Sequence, residues 1–252
     1  MITAAIFDID GTLLDSMDMW NHAGEEYLHS LGIQPKPGLA ERMMPLSTPK
    51  SAQLLQREYA LEKSVSEIID GINGTVRSAY LHTVPLKPGV KDFLEEMKSK
   101  KIPMTAATST DRCVIEGALA RLGISDYFAH LFTCTEVGAG KLKPDIYIAA
   151  QEFMHSSRNS TWVFEDSLFA AKTARAAGFL VAGVYDQYTS LVQEDIRSIC
   201  HIFLPALDHF REFYDAASKF PLSGTLPQSS DTESTEFITI YSTLNKERKK
   251  LC

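Results

Sequence analysis

Asp8 and Asp10 close a short apolar run, residues 2–9, and are followed at once by Gly11 and Thr12. Further along the chain, other residues able to do chemistry stand where apolar stretches end: Thr108-Ser109, then Lys141 and Lys143 in Gly-Lys-Leu-Lys-Pro-Asp, then Glu165-Asp166-Ser167. Carboxylates gathered at one place repel one another unless something offsets their charge, and a divalent cation held by oxygen ligands does so. Mg²⁺ is the expected ion. Hydroxyls and an ammonium beside such a centre suit the binding of an anion. The glycines before Lys141 do not make a nucleotide P-loop, because Thr135 stands where its first Gly belongs and Leu142 where Ser or Thr belongs.

For these residues to meet, the elements that carry them must end at one edge. The run at 2–9 reads as a buried parallel strand that stops at a turn. From residue 16 to 84 the apolar spacing is helical throughout, as in Met19, Trp20, Ala23, Tyr27 and Leu28, or Ile68, Ile69, Ile72 and Val76. After Pro85-Leu86-Lys87-Pro88-Gly89 helices and strands alternate. Helices are expected at 90–100, 112–122, 145–154, 168–177 and 207–217, and strands at 102–107, 131–133, 161–164 and 180–184. Alternation of this kind implies right-handed crossovers and a doubly wound, mostly parallel α/β sheet covered by helices on both faces. Ligands of such sheets bind beyond the C-terminal strand ends, where the polar residues stand. The expected organisation is a core of residues 1–15 and 85–220, an inserted helical block at 16–84, and a flexible tail at 221–252 that is too polar to fold on its own.

Composition narrows the partners. The chain has 252 residues, 44% of them hydrophobic and 23% charged, which is ordinary for a globular protein. Its net charge of -7 disfavours binding to nucleic acid or anionic membrane. No apolar run approaches the ~18 residues that cross a bilayer, and no basic n-region precedes Asp8. Cys113, Cys134, Cys200 and Cys252 are scattered without metal-ligand spacing, as expected of reduced thiols in a cytoplasmic protein. A monomer or weak homodimer is expected.

Phe7-Asp8-Ile9-Asp10-Gly11-Thr12-Leu13-Leu14-Asp15-Ser16 resembles the first motif of the haloacid dehalogenase-like (HAD) hydrolase superfamily. Thr108 resembles the Ser/Thr of its second motif, Lys141 the lysine of its third, and Val163-Phe164-Glu165-Asp166-Ser167 its acidic fourth. The likeness spans residues 2 to about 217. It implies a Rossmann-like core with a small helical cap and an aspartyl-phosphate mechanism. Asp8 would be the nucleophile, and Asp10 the acid that protonates the leaving alcohol and then the base that activates water. Thr108, Ser109 and Lys141 would bind the phosphoryl group. Mg²⁺ would be held by Asp8, the Asp10 carbonyl and Asp166, with Glu165 as a possible further ligand. The third motif departs from the family, reading Lys-Leu-Lys-Pro where many relatives have Lys-Pro-x-Pro, so Lys143 competes with Lys141.

The resemblance also discriminates within the superfamily. Its dehalogenase and phosphonatase branches lack an aspartate at the position of Asp10, so phosphate esters of small metabolites are the expected substrates. Trp20 and Arg77 are the candidates for substrate contacts from the cap. A sugar-phosphate mutase of the beta-phosphoglucomutase type is the first alternative. Against it, Trp20 stands where such a mutase has a histidine and Thr48 where it has an arginine. The second alternative is a signalling receiver that stores phosphate on Asp8 without turning it over, although a receiver has no use for the helical insertion.

Overall fold

The computed structural model describes residues 2–43, 46, 48–220 and 238–239. In chain order the elements are β1 (Ala4–Phe7), α1 (Met17–Ser30), α2 (Leu39–Met43), α3 (Thr48–Glu58), α4 (Val65–His82), α5 (Val90–Ser99), β2 (Met104–Thr108), α6 (Arg112–Leu122) and β3 (His130–Thr133). Then follow α7 (Cys134–Val137), α8 (Asp145–Phe153), β4 (Thr161–Glu165), α9 (Leu168–Ala176), β5 (Leu180–Val184), α10 (Gln193–Ile199), β6 (Ile202–Leu204), α11 (Phe210–Ala217) and β7 (Ile238–Thr239). The chain divides into two compact units, one made of the first fifteen residues with those from Leu86 on, the other of Ser16–Pro85.

In the first unit the strands pair in the order β3-β2-β1-β4-β5-β6-β7, all parallel. Every residue of β1, β2 and β4 is buried, as a strand covered on both faces requires. Alternate residues feed two cores. Ile6 and Val163 pack with Ile146, Tyr147, Ala171 and Ala174 of α8 and α9. On the opposite side Phe7 stacks on Phe164 at 4.2 Å, and Phe164 meets Phe93 of α5 and Phe213 of α11 edge-on or tilted. Ring pairs of this kind add about 1 kcal/mol each beyond the area they bury.

Between β5 and α11 the structure adds α10 and β6, which the sequence pattern does not reveal. Helix α10 is seven residues long with Ile196 its buried residue, and β6 has three residues, too short to show a period. The segment expected as a flexible tail, 221–252, lies outside the described residues except for β7, where Ile238 pairs with Ile202 and Thr239 with Phe203. No described helix is long and apolar enough to cross a membrane.

The second unit is helical. Ala23, Tyr27 and Leu28 of α1 are buried, as are Ile68, Ile72, Val76 and Tyr80 of α4, so both helices present stripes at i, i+4 spacing. A Cβ on Gly71 would lie 2.1 Å from the Tyr27 ring, so only glycine lets α4 approach so closely. Helix α4 starts at a capping box. The Ser64 hydroxyl accepts from Glu67 N–H, and the Glu67 carboxylate accepts from Ser64 N–H.

Between α10 and β6 stands His201, whose ring makes stability depend on acid. Burial first, and then the nearby Arg175 charge, hold its ring down at about 4 from an ordinary 6.5. The Val181 N–H also donates to Nδ1, which requires that lone pair to be free of a proton. In the unfolded chain the ring protonates below about pH 6.5, but in the folded chain only near pH 4. Stability is therefore lost as pH falls through that window, by about 3 kcal/mol in all. Urea unfolding at pH 7 and pH 4.5 should show His201→Gln losing less stability than the parent chain; equal losses would contradict this.

Candidate active site

Strand β1 has β2 on one side and β4 on the other, so the order reverses at its C-terminal end and leaves a crevice there. Asp8 follows β1 directly, and its N–H donates to the Phe164 carbonyl at 3.0 Å. Phe7 pairs with Phe164, which sets Asp8 beside Glu165, the last residue of β4. Asp166 is the next residue. After Asp8 the chain folds back tightly, with Leu13 and Leu14 N–H both donating to Ile9 and Gly11 N–H to Leu14. Gly11 has φ 83°, and a Cβ there would lie 2.4 Å from Asp166 Oδ2, so this turn needs glycine twice over. Thr12 Oγ1 donates to Asp166 Oδ1 at 3.3 Å.

Lys141 enters from the segment between α7 and α8. Its Nζ donates to Asp8 Oδ1 and, at 2.7 Å, to Glu165 Oε1, while Tyr147 OH of α8 donates to the same Glu165 oxygen at 2.8 Å. Lys143 is exposed, so burial selects Lys141. Asp8, Lys141, Glu165 and Asp166 are all buried. One ammonium thus stands among three carboxylates.

The electrostatics follow from that imbalance. Burial pushes the Asp8 carboxyl up to about 7; Lys141 opposes this, while Glu165 and Asp10 add to it. Burial likewise holds Asp166 well above the usual carboxylate range, helped by Asp8, Glu165 and Asp186. Burial works against the Lys141 charge too, but Asp8 and Glu165 outweigh it and the ammonium is held above its ordinary value. Asp8, Glu165 and Asp166 each offer a carboxylate oxygen, and the three oxygens lie within 4.8 Å of one another. All-oxygen donors with charge to offset fit a hard divalent cation.

Asp10 is half-buried and faces β2. Its Oδ2 accepts from Thr110 Oγ1 at 2.7 Å and, more distantly at 3.5 Å, from Thr108 Oγ1, which itself accepts from Thr110 N–H. Ser109 is exposed, its hydroxyl 3.5 Å from Cys134 Sγ. Trp20 and Arg77 lie in the helical unit. The Trp20 indole N–H donates to Tyr80 OH at 2.8 Å, and Arg77 is exposed on α4. The Thr48 side chain lies outside the described residues.

The structure therefore brings Asp8, Lys141, Glu165 and Asp166 into one cluster and Asp10 and Thr108 into an adjoining one. Sequence reasoning missed Thr110 and Tyr147. The signal for Thr110 was its place two residues after Thr108 in Thr-Ser-Thr; for Tyr147, six residues after Lys141 and buried on α8, the sequence carries none.

A phosphorylated carbohydrates phosphatase of Thermotoga maritima is 28% identical over 175 residues, covering 69% of this chain and 81% of the relative. The fructose-1-phosphate phosphatase YqaB of Escherichia coli is 29% identical over 185 residues, covering 69% and 91%. The crystal structure of a beta-phosphoglucomutase from Clostridium difficile shares the fold at a TM-score of 0.63 and 19% identity, covering 87% of this chain and 99% of that one. Residues 5–184 match the model of the haloacid dehalogenase-like hydrolases. With most of the chain matched and the polar residues gathered at the strand-order reversal, the chain belongs to the haloacid dehalogenase-like hydrolase family.

Proposed function

We propose that the protein is a Mg²⁺-dependent phosphatase of small phosphorylated metabolites, working through an aspartyl phosphate on Asp8. The observation that carries this reading is the buried cluster in which Lys141 bridges Asp8 and Glu165 beside Asp166. The phosphatases of phosphorylated carbohydrate and of fructose 1-phosphate among its relatives support the substrate class.

Asp8, held in place by Lys141, attacks phosphorus; the new O–P bond forms as the ester O–P bond breaks. Asp10 gives its proton to the departing alkoxide, then takes one from water as that water attacks the phosphoaspartate and frees Asp8. Thr108 and Lys141 donate to phosphoryl oxygens as charge builds on them. Thr110 fixes the Asp10 carboxyl through Oδ2. Asp8, Asp166 and the Asp10 main-chain carbonyl would hold Mg²⁺, which when bound supplies positive charge to offset nucleophile and phosphate. Residues 16–84 act in this reading as the cap that excludes water.

A panel of phosphorylated metabolites, assayed for free phosphate with and without chelator, tests the proposal. Hydrolysis should vanish in chelator and return with added Mg²⁺; full turnover in chelator would sink the metal requirement. Glucose 1-phosphate, even with a bisphosphate activator, should give no glucose 6-phosphate. Its appearance ahead of free phosphate would favour the mutase, and a stable phosphoprotein without turnover the receiver.

A further inference from the structure

Lys87 stands where the chain re-enters the core unit, in the Pro-Leu-Lys-Pro-Gly stretch that by sequence is only punctuation. Its main-chain N–H donates to Leu13 at 2.9 Å, and the preceding Leu86 bridges to Leu14. Its ammonium donates to the carbonyls of Gly11 at 2.6 Å and Tyr185 at 2.5 Å, and to Asp186 Oδ2 at 3.0 Å. The Lys87 side chain is 14% exposed and that of Asp186 1%. Asp186 is fixed in turn by Tyr188 N–H at 2.9 Å on Oδ1.

We propose that Lys87, together with Asp186, is a positioning residue of the hydrolytic site, a brace that ties the Asp8–Thr12 turn to the end of β5. The argument is geometric. Gly11 links Asp10 to Thr12, and Thr12 holds Asp166. Gly11 also packs directly against the Asp166 carboxylate, where it can carry no side chain to wedge it in place. Beyond the turn's own main-chain hydrogen bonds, its carbonyl offers a hold from outside the turn, and the Lys87 ammonium takes it. An ammonium with three acceptors has used all its donors and is fixed in direction. Asp186 receives this cation, so the brace ends in a paired charge at the end of β5. Displacement of a reacting group by about 1 Å costs as much as 10²-fold in rate, so slack in this turn should appear in kcat.

The inference rests on the phosphatase reading, and two measurements separate the failure of one from that of the other. The first is hydrolysis of p-nitrophenyl phosphate at saturating Mg²⁺ by the parent chain, Lys87→Met, Asp186→Asn and the double variant. Lys87→Met should lose about tenfold or more in kcat with KM within twofold. The double variant has no buried unpaired carboxylate, so it should regain thermal stability lost by Lys87→Met but not its kcat. A purely structural ion pair would instead return both. The second is amide hydrogen exchange, which needs no turnover. Residues 8–15 should exchange about tenfold faster in Lys87→Met, while β2 and α5 keep their protection. If Met at this position prevents folding, Lys87→Gln carries the same comparisons. A kcat within twofold of the parent, or unchanged exchange over 8–15, overturns the brace. A parent chain that hydrolyses no phosphate ester overturns the phosphatase reading alone, and exchange over 8–15 still decides the brace.

Discussion

Asp8→Asn should yield a folded protein whose phosphate release has fallen by at least about 10³-fold and which accumulates no phosphoenzyme. The amide keeps the shape of the side chain and its place at the end of β1 but has no anionic oxygen to attack phosphorus. The variant is expected to stay folded, because the change removes charge from a crowded carboxylate cluster. The cluster holds three buried carboxylates around one ammonium, and burial already pushes the Asp8 carboxyl up to about 7. A raised carboxyl binds its proton more tightly in the folded chain than in the unfolded one. Its effect on stability is therefore favourable at low pH and is lost as pH rises through about 7. Removing that ionisation leaves Lys141 paired with Glu165 at 2.7 Å and relieves repulsion at pH 8. The Asn variant should melt no lower than the parent chain at pH 8, while phosphorylation by a labelled substrate is absent. Wild-type turnover by Asp8→Asn would require a different nucleophile.

How far the sequence reveals this site depends on whether a residue is placed by its own strand or by its neighbours. Asp8, Asp10 and Thr12 are legible because one short apolar run and one glycine turn place all three, and Glu165-Asp166 because they end a second such run. The alternating pattern makes the sheet legible for the same reason. Between Lys141 and Lys143 the sequence offers no decision, since both sit on one loop and only burial against Asp8 and Glu165 separates them. Tyr147 reads as an ordinary apolar-face residue of α8; its bond to Glu165 exists only because α8 packs on the sheet beneath β1, β2 and β3, which brings the ring to the end of β4. Lys87 and Asp186 are 99 residues apart in sequence, and their pairing is a property of the closed sheet. Residues 193–204 are missed for a simpler reason, because α10 has seven residues and β6 three, too few for a helical or strand period to repeat and be recognised.

Lys141→Met is the variant with the largest expected effect on stability and activity together. Among the described residues Lys141 is the one buried lysine or arginine, and it touches both Asp8 and Glu165. Methionine matches its length and fills its space, so the change isolates the charge. Without the ammonium, three carboxylates face one another away from water, and removing one partner of a buried ion pair of this kind costs about 3–5 kcal/mol. Tyr147 still donates to Glu165, which moderates the loss at that residue but does nothing for Asp8 or Asp166. Turnover should fall by about 10²–10³-fold, the usual effect of removing one group that stabilises charge as it develops on transferring oxygens. The melting temperature separates the two roles. In the parent chain Lys141 already supplies one positive charge, so Mg²⁺ should raise the melting temperature modestly. In Lys141→Met a divalent ion becomes the one source of positive charge among the carboxylates, and the same Mg²⁺ concentration should raise it more. An equal Mg²⁺ shift in both proteins would mean that Lys141 and the ion do not share the Asp8–Glu165–Asp166 cluster.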